Sequence, residues 1–280
     1  MENRKRIMIV AKQNNLGLRI ARTFARRIES KCDVSFDPST ALRLRKKGTS
    51  IRRFDGDFII TLGGDGTFLR AAHQTDLPIL PVKLEGHGFL CTTTYKQLEE
   101  NLARVLRGQF AIRERVRLRC FRVPTRRFDR YISKILNRPY PLALNEIAFG
   151  RKRPSKILSV EMVVDGVTFR FAGDGVMFAT PAGSTAYNSS AGGSLIDPEL
   201  SAISIIPLYP FYSKMRPMIV PTGKRIEVTV EGDCALVVDG HGGDYIKGGA
   251  SFIVESGAPQ KVIYVVEQNF YERFKAEFLQ

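Results

Sequence analysis

The sequence predicts an open, Rossmann-like α/β domain over residues 1–95, a β-rich, β-sandwich-like domain over residues 96–265, and a last helix over residues 266–280 that packs back on the first domain. Three observations carry this. Short unbroken apolar runs alternate with helix-spaced segments up to about residue 90. Beyond residue 106, helical periodicity gives way to short β-type runs punctuated by Gly and Pro. Helical spacing returns only over residues 269–279.

In order, residues 6–11 read as a short buried strand. Residues 16–30 put Leu16, Ile20, Phe24 and Ile28 on one helical face and arginines on the other. Residues 32–36 form a second strand, and residues 39–47 a short helix capped by Ser39 after Pro38. Residues 57–62 form a third strand that stops at Gly63-Gly64-Asp65-Gly66-Thr67, after which Phe68, Leu69, Ala71 and Ala72 resume helical spacing. That is strand, tight loop, helix, with the loop at the carboxyl end of the strand, where open α/β sheets bind ligands. Residues 78–82 give a fourth strand and residues 99–106 a helix. Residues 113–120 alternate strictly, with Arg113, Arg115, Arg117 and Arg119 on one face and Val116, Leu118 and Cys120 on the other, which reads as a half-buried strand with a basic outer face. Residues 122–141, rich in Pro and Arg, read as a mobile connection. Further strands are expected at 143–149, 157–164, 167–171, 176–179, 201–206, 225–230, 235–238 and 262–266.

With 280 residues, 44% of them apolar and 25% charged, the chain has the composition of a soluble globular protein. The apolar run at residues 7–11 is too short for a signal peptide, and no run approaches the ~20 residues of a membrane span, so a cytoplasmic protein without a membrane partner is expected. Four scattered cysteines and three scattered histidines point to free thiols rather than disulfides or a metal cluster. A net charge of +15 first suggests nucleic acid, but no block of like charges concentrates it. Steering of small polyanions and plain solubility fit the same charge.

Two further clusters carry chemistry. Asn145-Glu146 interrupts an apolar strand, so at least one of the two polar side chains enters the interior or a cleft, or else the strand ends there. Gly173-Asp174-Gly175, followed by Thr180-Pro-Ala-Gly183-Ser184-Thr185-Ala186-Tyr187-Asn188-Ser189-Ser190 and Gly192-Gly193, is the densest run of small and hydroxyl residues in the chain. Small residues let a ligand lie against backbone, hydroxyls and amides supply hydrogen bonds, and Tyr187 offers a ring to a flat base. A glycine-rich structural loop is the alternative. In the first cluster, the glycines of the Gly63–Thr67 loop let backbone amides approach phosphate oxygens ahead of a helix N-terminus. Asp65 would be repelled by those phosphates, so proton abstraction from an attacking hydroxyl, or magnesium binding, gives it a purpose.

The Gly-Gly-Asp-Gly-Thr loop resembles that of diacylglycerol and sphingosine kinases, 6-phosphofructokinases and NAD kinases. Asn145-Glu146, Asp174-Gly175, the 180–187 run and Gly192-Gly193, in that order and spacing, resemble NAD kinases, as do Arg216-Pro217-x-Ile219-Val220-Pro221 and Asp239-Gly240. The likeness spans essentially the whole chain, and Leu208-Tyr-Pro-Phe-Tyr-Ser is closest to microbial, archaeal-like members. The resemblance implies phosphoryl transfer from ATP or polyphosphate to the 2′-hydroxyl of the adenosine ribose of NAD, giving NADP. It implies Mg²⁺ or another divalent cation held through phosphates rather than by a protein metal site, and a homodimer or homotetramer. Residue by residue, it makes Asp65 the proton acceptor and Gly66 its phosphate-contacting neighbour. Arg70, Asn145, Glu146, Lys156 and His241 match ligand contacts, and Asp174 matches the acid on the nicotinamide side. Thr185, Ala186, Tyr187 and Ser190 match a binding loop in which one subunit completes a neighbour's site.

The family's usual Gly-Ile-Asn-x-Gly-x-Leu-Gly-Phe-Leu is replaced by Pro81-Val82-Lys83-Leu84-Glu85-Gly86-His87-Gly88-Phe89-Leu90. Ala172 stands where an arginine is common, and His241 where a Gln is common. A lipid kinase sharing the glycine loop would need an apolar acceptor cleft that residues 183–187 do not supply. A non-catalytic nucleotide or nucleic-acid binder would bind with a steep salt dependence and form no product.

Overall fold

Apolar runs without alternation belong to strands covered on both faces, and the computed structural model, which describes residues 4–86, 88–123 and 140–279, places them so. Strands β1 (Lys5–Ala11), β2 (Cys32–Phe36), β3 (Phe58–Gly63) and β4 (Ile79–Lys83) pair in parallel. They form a seven-stranded sheet of order β2-β1-β3-β4-β18-β6, with β5 (Thr93–Thr94) on β4, β6 at Ala111–Arg115 and β18 at Gln260–Tyr264. Ile7, Ile9, Ile60 and Leu62 are fully buried at its centre.

Helix α1 (Asn15–Ile28) lays Leu18, Ala21, Phe24, Ala25 and Ile28 into this core, and the Asn14 side chain caps it by accepting the Gly17 amide at 2.8 Å. Helix α2 (Pro38–Leu44) has Pro38 in its first turn and Asp37, not Ser39, at the cap position. The Asp37 side chain makes no cap bond because it is drawn elsewhere, as described below. Helices α3 (Asp65–Ala72) and α4 (Leu98–Leu106) complete the crossovers.

One compact unit comprises Met1–Arg115 with Gln260–Gln280, and the other Val116–Pro259. The sheet of the first unit thus takes in β6 and β18, both of which lie within residues 96–265, where the sequence reading places the second domain. The second unit holds β7 (Leu118–Val123), β8 (Glu146–Arg151), β9 (Leu158–Val164), β10 (Val167–Gly173), β11 (Gly175–Ala179) and β12 (Ala202–Leu208). It continues with β13 (Met218–Pro221), β14 (Ile226–Glu231), β15 (Cys234–Val238), β16 (His241–Ile246) and β17 (Ala250–Ser256). They form a five-stranded sheet, β10-β9-β14-β17-β7, and a six-stranded sheet, β13-β12-β11-β8-β15-β16. Side chains of both sheets share one core: Phe149 of β8 meets Phe252 of β17 with ring centroids 4.8 Å apart, and Phe178 of β11 edge-on at 6.3 Å.

The expected basic outer face over residues 113–120 holds for Arg119, which is exposed, and in part for Arg113, but not for the two arginines between them. The run breaks between β6 and β7, and Arg115 and Arg117 are 7% and 1% exposed. Arg117 Nε donates to the Ala258 carbonyl at 2.7 Å, and Arg115 Nη2 to the Tyr264 hydroxyl at 2.8 Å. Arginine can be buried where carbonyls and hydroxyls satisfy its fork of donors. The strand expected at 262–266 runs instead over Gln260–Tyr264 and joins the first sheet, antiparallel to β6. Most of the connection expected over 122–141 lies outside the described residues, as does His87.

Candidate functional site

On the α/β unit, β3 ends at Gly63, Gly64 is the cap residue, and Asp65 opens α3. A Cβ on Gly63 would lie 2.1 Å from Thr67 Oγ1, so only glycine lets the chain turn this tightly into the helix. Gly66 is exposed, and a Cβ there would meet nothing within 4 Å. The Thr67 and Phe68 amides donate to the Gly64 carbonyl, and the helix N-terminus, led by the amides of Asp65 and Gly66, suits an anion.

The Asp65 carboxylate is held at both oxygens. Oδ2 accepts the Phe89 amide at 2.9 Å and Oδ1 the Leu90 amide at 2.8 Å. Burial raises its pKa above the usual aspartate value, and the two amides and the Arg273 charge oppose that rise. Oδ1 also accepts from the Cys91 thiol at 3.9 Å, so the second lone pair of Oδ2 is the one that can take a hydroxyl proton. Lys83, at the end of β4, does not stand free: its Nζ pairs with Glu277 Oε1 at 3.1 Å. Arg70 donates through Nη1 to Asp37 Oδ2 and through Nη2 to the Ala11 carbonyl, both at 3.0 Å. Asp37 is 1% exposed, so Arg70 is a fixed part of the loop's underside.

On the β unit, Asn145 and Glu146 are both buried, at 9% and 6% exposure. Asp239 makes this possible. Its Oδ2 accepts the Leu144 amide at 2.8 Å, and its Oδ1 the amides of Asn145 at 2.7 Å and Glu146 at 2.9 Å. Among the described residues, Asn145 Oδ1 and Glu146 Oε2 have no hydrogen-bond partner, which leaves two buried acceptors open to donors. Burial, with the Asp239 charge adding, pushes Glu146 up to about 7, against a hydrogen bond from the Tyr187 amide.

The small-residue run divides into two sets. The Thr180 hydroxyl donates to the Leu144 carbonyl and accepts the Gly183 amide at 3.0 Å. A Cβ on Gly183 would lie 2.2 Å from the Asn145 carbonyl oxygen, so that glycine seats the loop on the Asn145-Glu146 strand. Ser184 Oγ donates to the Ile196 carbonyl at 3.1 Å, and Asn188 Nδ2 to the Ser184 and Ser194 carbonyls at 3.0 Å. These buried groups build the loop. Thr185, Ala186, Tyr187 and Ser190, around the single-turn helix α5 (Tyr187–Ser190), are partly or fully exposed, Tyr187 by 47%. They are the four that the family resemblance matches to a binding loop.

Asn145, Glu146, the 180–190 loop and His241 therefore meet, His241 with Nδ1 2.8 Å from the Asp239 carbonyl oxygen. Asp174 does not join them. Its backbone carbonyl accepts the Arg151 amide at 2.8 Å, and its carboxylate pairs with Arg151 Nη2 at 3.0 Å. It sits at the far end of the six-residue β8 from Glu146, about 17 Å along the strand. Lys156 is exposed in the turn between β8 and β9. Sequence reasoning assigned no role to Asp239, Thr180, Asn188, Arg151 or Arg273. The Asp239-Gly240 pair, with φ of 50° at Asp239, is the one local signal that marked a special turn.

The comparisons with known proteins agree along the chain. A family model described as the ATP-NAD kinase N-terminal domain matches residues 4–110, and one described as the ATP-NAD kinase C-terminal domain matches residues 144–266. The NAD kinase of Methanothermobacter thermautotrophicus is 32% identical over 245 residues, covering 85% of this chain and 82% of that protein. The NAD kinase of Pyrococcus abyssi is 36% identical over 220 residues, covering 77% and 75%. Among solved structures, an NAD kinase from Archaeoglobus fulgidus in complex with ATP superposes with a TM-score of 0.75 at 26% identity, covering 97% of this chain and 98% of that one. Yeast NADH kinase complexed with NADH shares the fold with a TM-score of 0.83 at 24% identity, covering 99% and 88%.

Proposed function

The chain belongs to the NAD kinase family, and from that membership we propose that it transfers the terminal phosphoryl group of ATP to the 2′-hydroxyl of the adenosine ribose of NAD, with Asp65 accepting the hydroxyl proton. The observation that carries this is the Asp65 carboxylate, held by two backbone amides at the N-terminus of α3 directly after the glycine loop. A carboxylate fixed in this way is aimed before the substrate arrives, and burial makes it a better base than a free aspartate.

The glycine loop, with Gly66 exposed, takes the donor phosphates against the α3 amides. NAD kinases use a divalent cation, for which we propose Mg²⁺. The residues at the loop suit it: Asp65 is its one carboxylate, so a bound ion would draw most of its oxygens from phosphates and water. When bound, it neutralises charge on the transferring phosphoryl group. Arg70, anchored by Asp37, adds positive charge behind the loop.

On the β unit, the open acceptors Asn145 Oδ1 and Glu146 Oε2 receive hydroxyl and amide donors of the dinucleotide. Tyr187 walls the base, and Thr185, Ala186 and Ser190 line the same loop. Lys156 and His241 are further ligand contacts in this reading. Asp174, which we assign to the nicotinamide side, lies about 17 Å of strand from Glu146. That separation supports a homodimer or homotetramer in which one copy's residues complete another's site.

The test is direct: the purified protein is given NAD, ATP and Mg²⁺, and NADP is measured with an NADP-specific dehydrogenase. Inorganic polyphosphate as donor and NADH as acceptor run in parallel. Formation of NADP or NADPH is expected, and none from any donor would sink the proposal.

A further inference from the structure

The C-terminal helix α6 (Phe270–Phe278) is packed against the turn that holds Asp65. Arg273 Nη2 donates to the carbonyls of Gly88 at 3.0 Å and Phe89 at 2.7 Å. The amide of Phe89 and that of its neighbour Leu90 are the two that hold the Asp65 carboxylate. One guanidinium therefore grips the turn on its carbonyl side while Asp65 is gripped on its amide side.

The contact is built at several points. The Phe89 ring meets Phe270 at 5.5 Å and Phe278 at 5.9 Å, both edge-on, and the Arg273 guanidinium lies 5.1 Å from the Phe89 centroid. Arg273 is itself fixed, with Nη1 donating to Gln268 Oε1 at 2.5 Å while Gln268 Nε2 donates to the Thr92 carbonyl at 2.6 Å. The Lys83–Glu277 pair closes the other side of the turn. Lys83 is also one of the residues, with Glu85, at which this chain departs from the usual family loop. Its pairing turns that departure into an attachment for the helix.

We propose that Arg273 is a positioning residue for Asp65: by holding the Gly88 and Phe89 carbonyls it fixes the amides that aim the carboxylate at the acceptor hydroxyl. This rests on the reading of Asp65 as proton acceptor. Arg273 touches no reacting group and acts through the turn. Its positive charge also favours the ionised form of Asp65, against burial and against Glu277 of the same helix. Among the described residues, the other ionisable groups facing this corner are Lys83 of β4 and the buried thiol of Cys91, 3.9 Å from Asp65 Oδ1.

The experiment compares kcat, the KM of NAD and of ATP, and the pH profile for wild type, Arg273→Ala and Arg273→Lys, each also combined with Asp65→Asn. Misplacing a catalytic group by about an ångström costs up to ~100-fold in rate, so Arg273→Ala is expected to lower kcat by about 10- to 100-fold while both KM values stay within about threefold. Its acid limb is expected to move to higher pH, because a cation that favours the carboxylate is gone. Arg273→Lys, with a point charge in place of a fork, is expected to keep the acid limb and recover part of kcat. On the Asp65→Asn background, Arg273→Ala is expected to cost nothing further. Full kcat with an unmoved acid limb in Arg273→Ala, or an equal loss on both backgrounds, would overturn the proposal. If Arg273→Ala does not fold, Arg273→Lys decides: wild-type kcat overturns the proposal, and a partial loss confined to the Asp65 background supports it. If Asp65 is not the base, that shows separately, as turnover retained by Asp65→Asn alone.

Discussion

Asp239 accepts the backbone amide of Glu146 at 2.9 Å, across 93 residues of sequence. The same carboxylate takes the amides of Leu144 and Asn145, so one buried acid aligns the whole entry to β8. Asp239→Ala would leave three buried N–H groups without partners, each costing about 1–3 kcal/mol. Urea unfolding is expected to show a loss of at least about 3 kcal/mol, with a raised KM for NAD in the protein that folds. Asp239→Asn, which keeps one acceptor oxygen, is expected to lose less. An unchanged urea midpoint in Asp239→Ala would remove Asp239 from this role.

Glu146 gives the fold a dependence on pH with a definite sign. Its pKa is about 7 in the fold against 4.5 for a free glutamate, so the folded state binds more protons than the unfolded state between these values. Stability therefore falls as pH rises through that window, by up to about 3 kcal/mol from this group. Glu146→Gln removes that contribution. The variant is expected to lose less stability than wild type between pH 5 and pH 8. Parallel stability–pH curves for the two proteins would contradict the burial argument.

If Asp174 faces the nicotinamide, as proposed, Arg151 bears on the choice between oxidised and reduced dinucleotide. Its guanidinium, 3.0 Å from the Asp174 carboxylate, offsets the negative charge that would favour a cationic nicotinamide ring. In Arg151→Ala, the ratio of KM for NAD to KM for NADH is expected to fall by about fivefold, the worth of one charge at ~8 Å in a partly hydrated site. Equal ratios in the two proteins would show that Asp174 does not face the nicotinamide.

Two glycines separate folding from binding. Gly183→Ala drives a methyl into the Asn145 carbonyl, so lower stability is expected together with weaker NAD binding. Gly66→Ala meets no neighbour and stands in a helix, where Ala is favoured over Gly by about 1 kcal/mol. Its Tm is expected to hold while KM for ATP rises about tenfold or more, because the methyl occupies the phosphate approach. A Gly66→Ala enzyme with wild-type KM for ATP would place the donor elsewhere.

The α/β half is readable from the chain because its signals are local. Unbroken apolar runs mark β1 and β3, and one apolar face marks α1. What was not readable depends on distant partners. Arg115 and Arg117 alternate like an outer face, and partners more than 140 residues on, among them the Tyr264 hydroxyl and the Ala258 carbonyl, make them interior. The Gln260–Tyr264 strand has the same pattern whichever sheet it joins. In the candidate site, the exposed residues of the 180–190 loop came through the resemblance. The groups that hold the Asn145-Glu146 segment and the Asp65 turn, Asp239 and Arg273, are separated in sequence from what they hold by 93 residues or more.

The kcat of Asp65→Asn for NADP formation from NAD and ATP tests the central claim most directly. Removing a general base costs about 10²–10⁴-fold, so turnover is expected to fall at least about a hundredfold with the Kd for NAD unchanged. Turnover within about tenfold of wild type would contradict Asp65 as the proton acceptor.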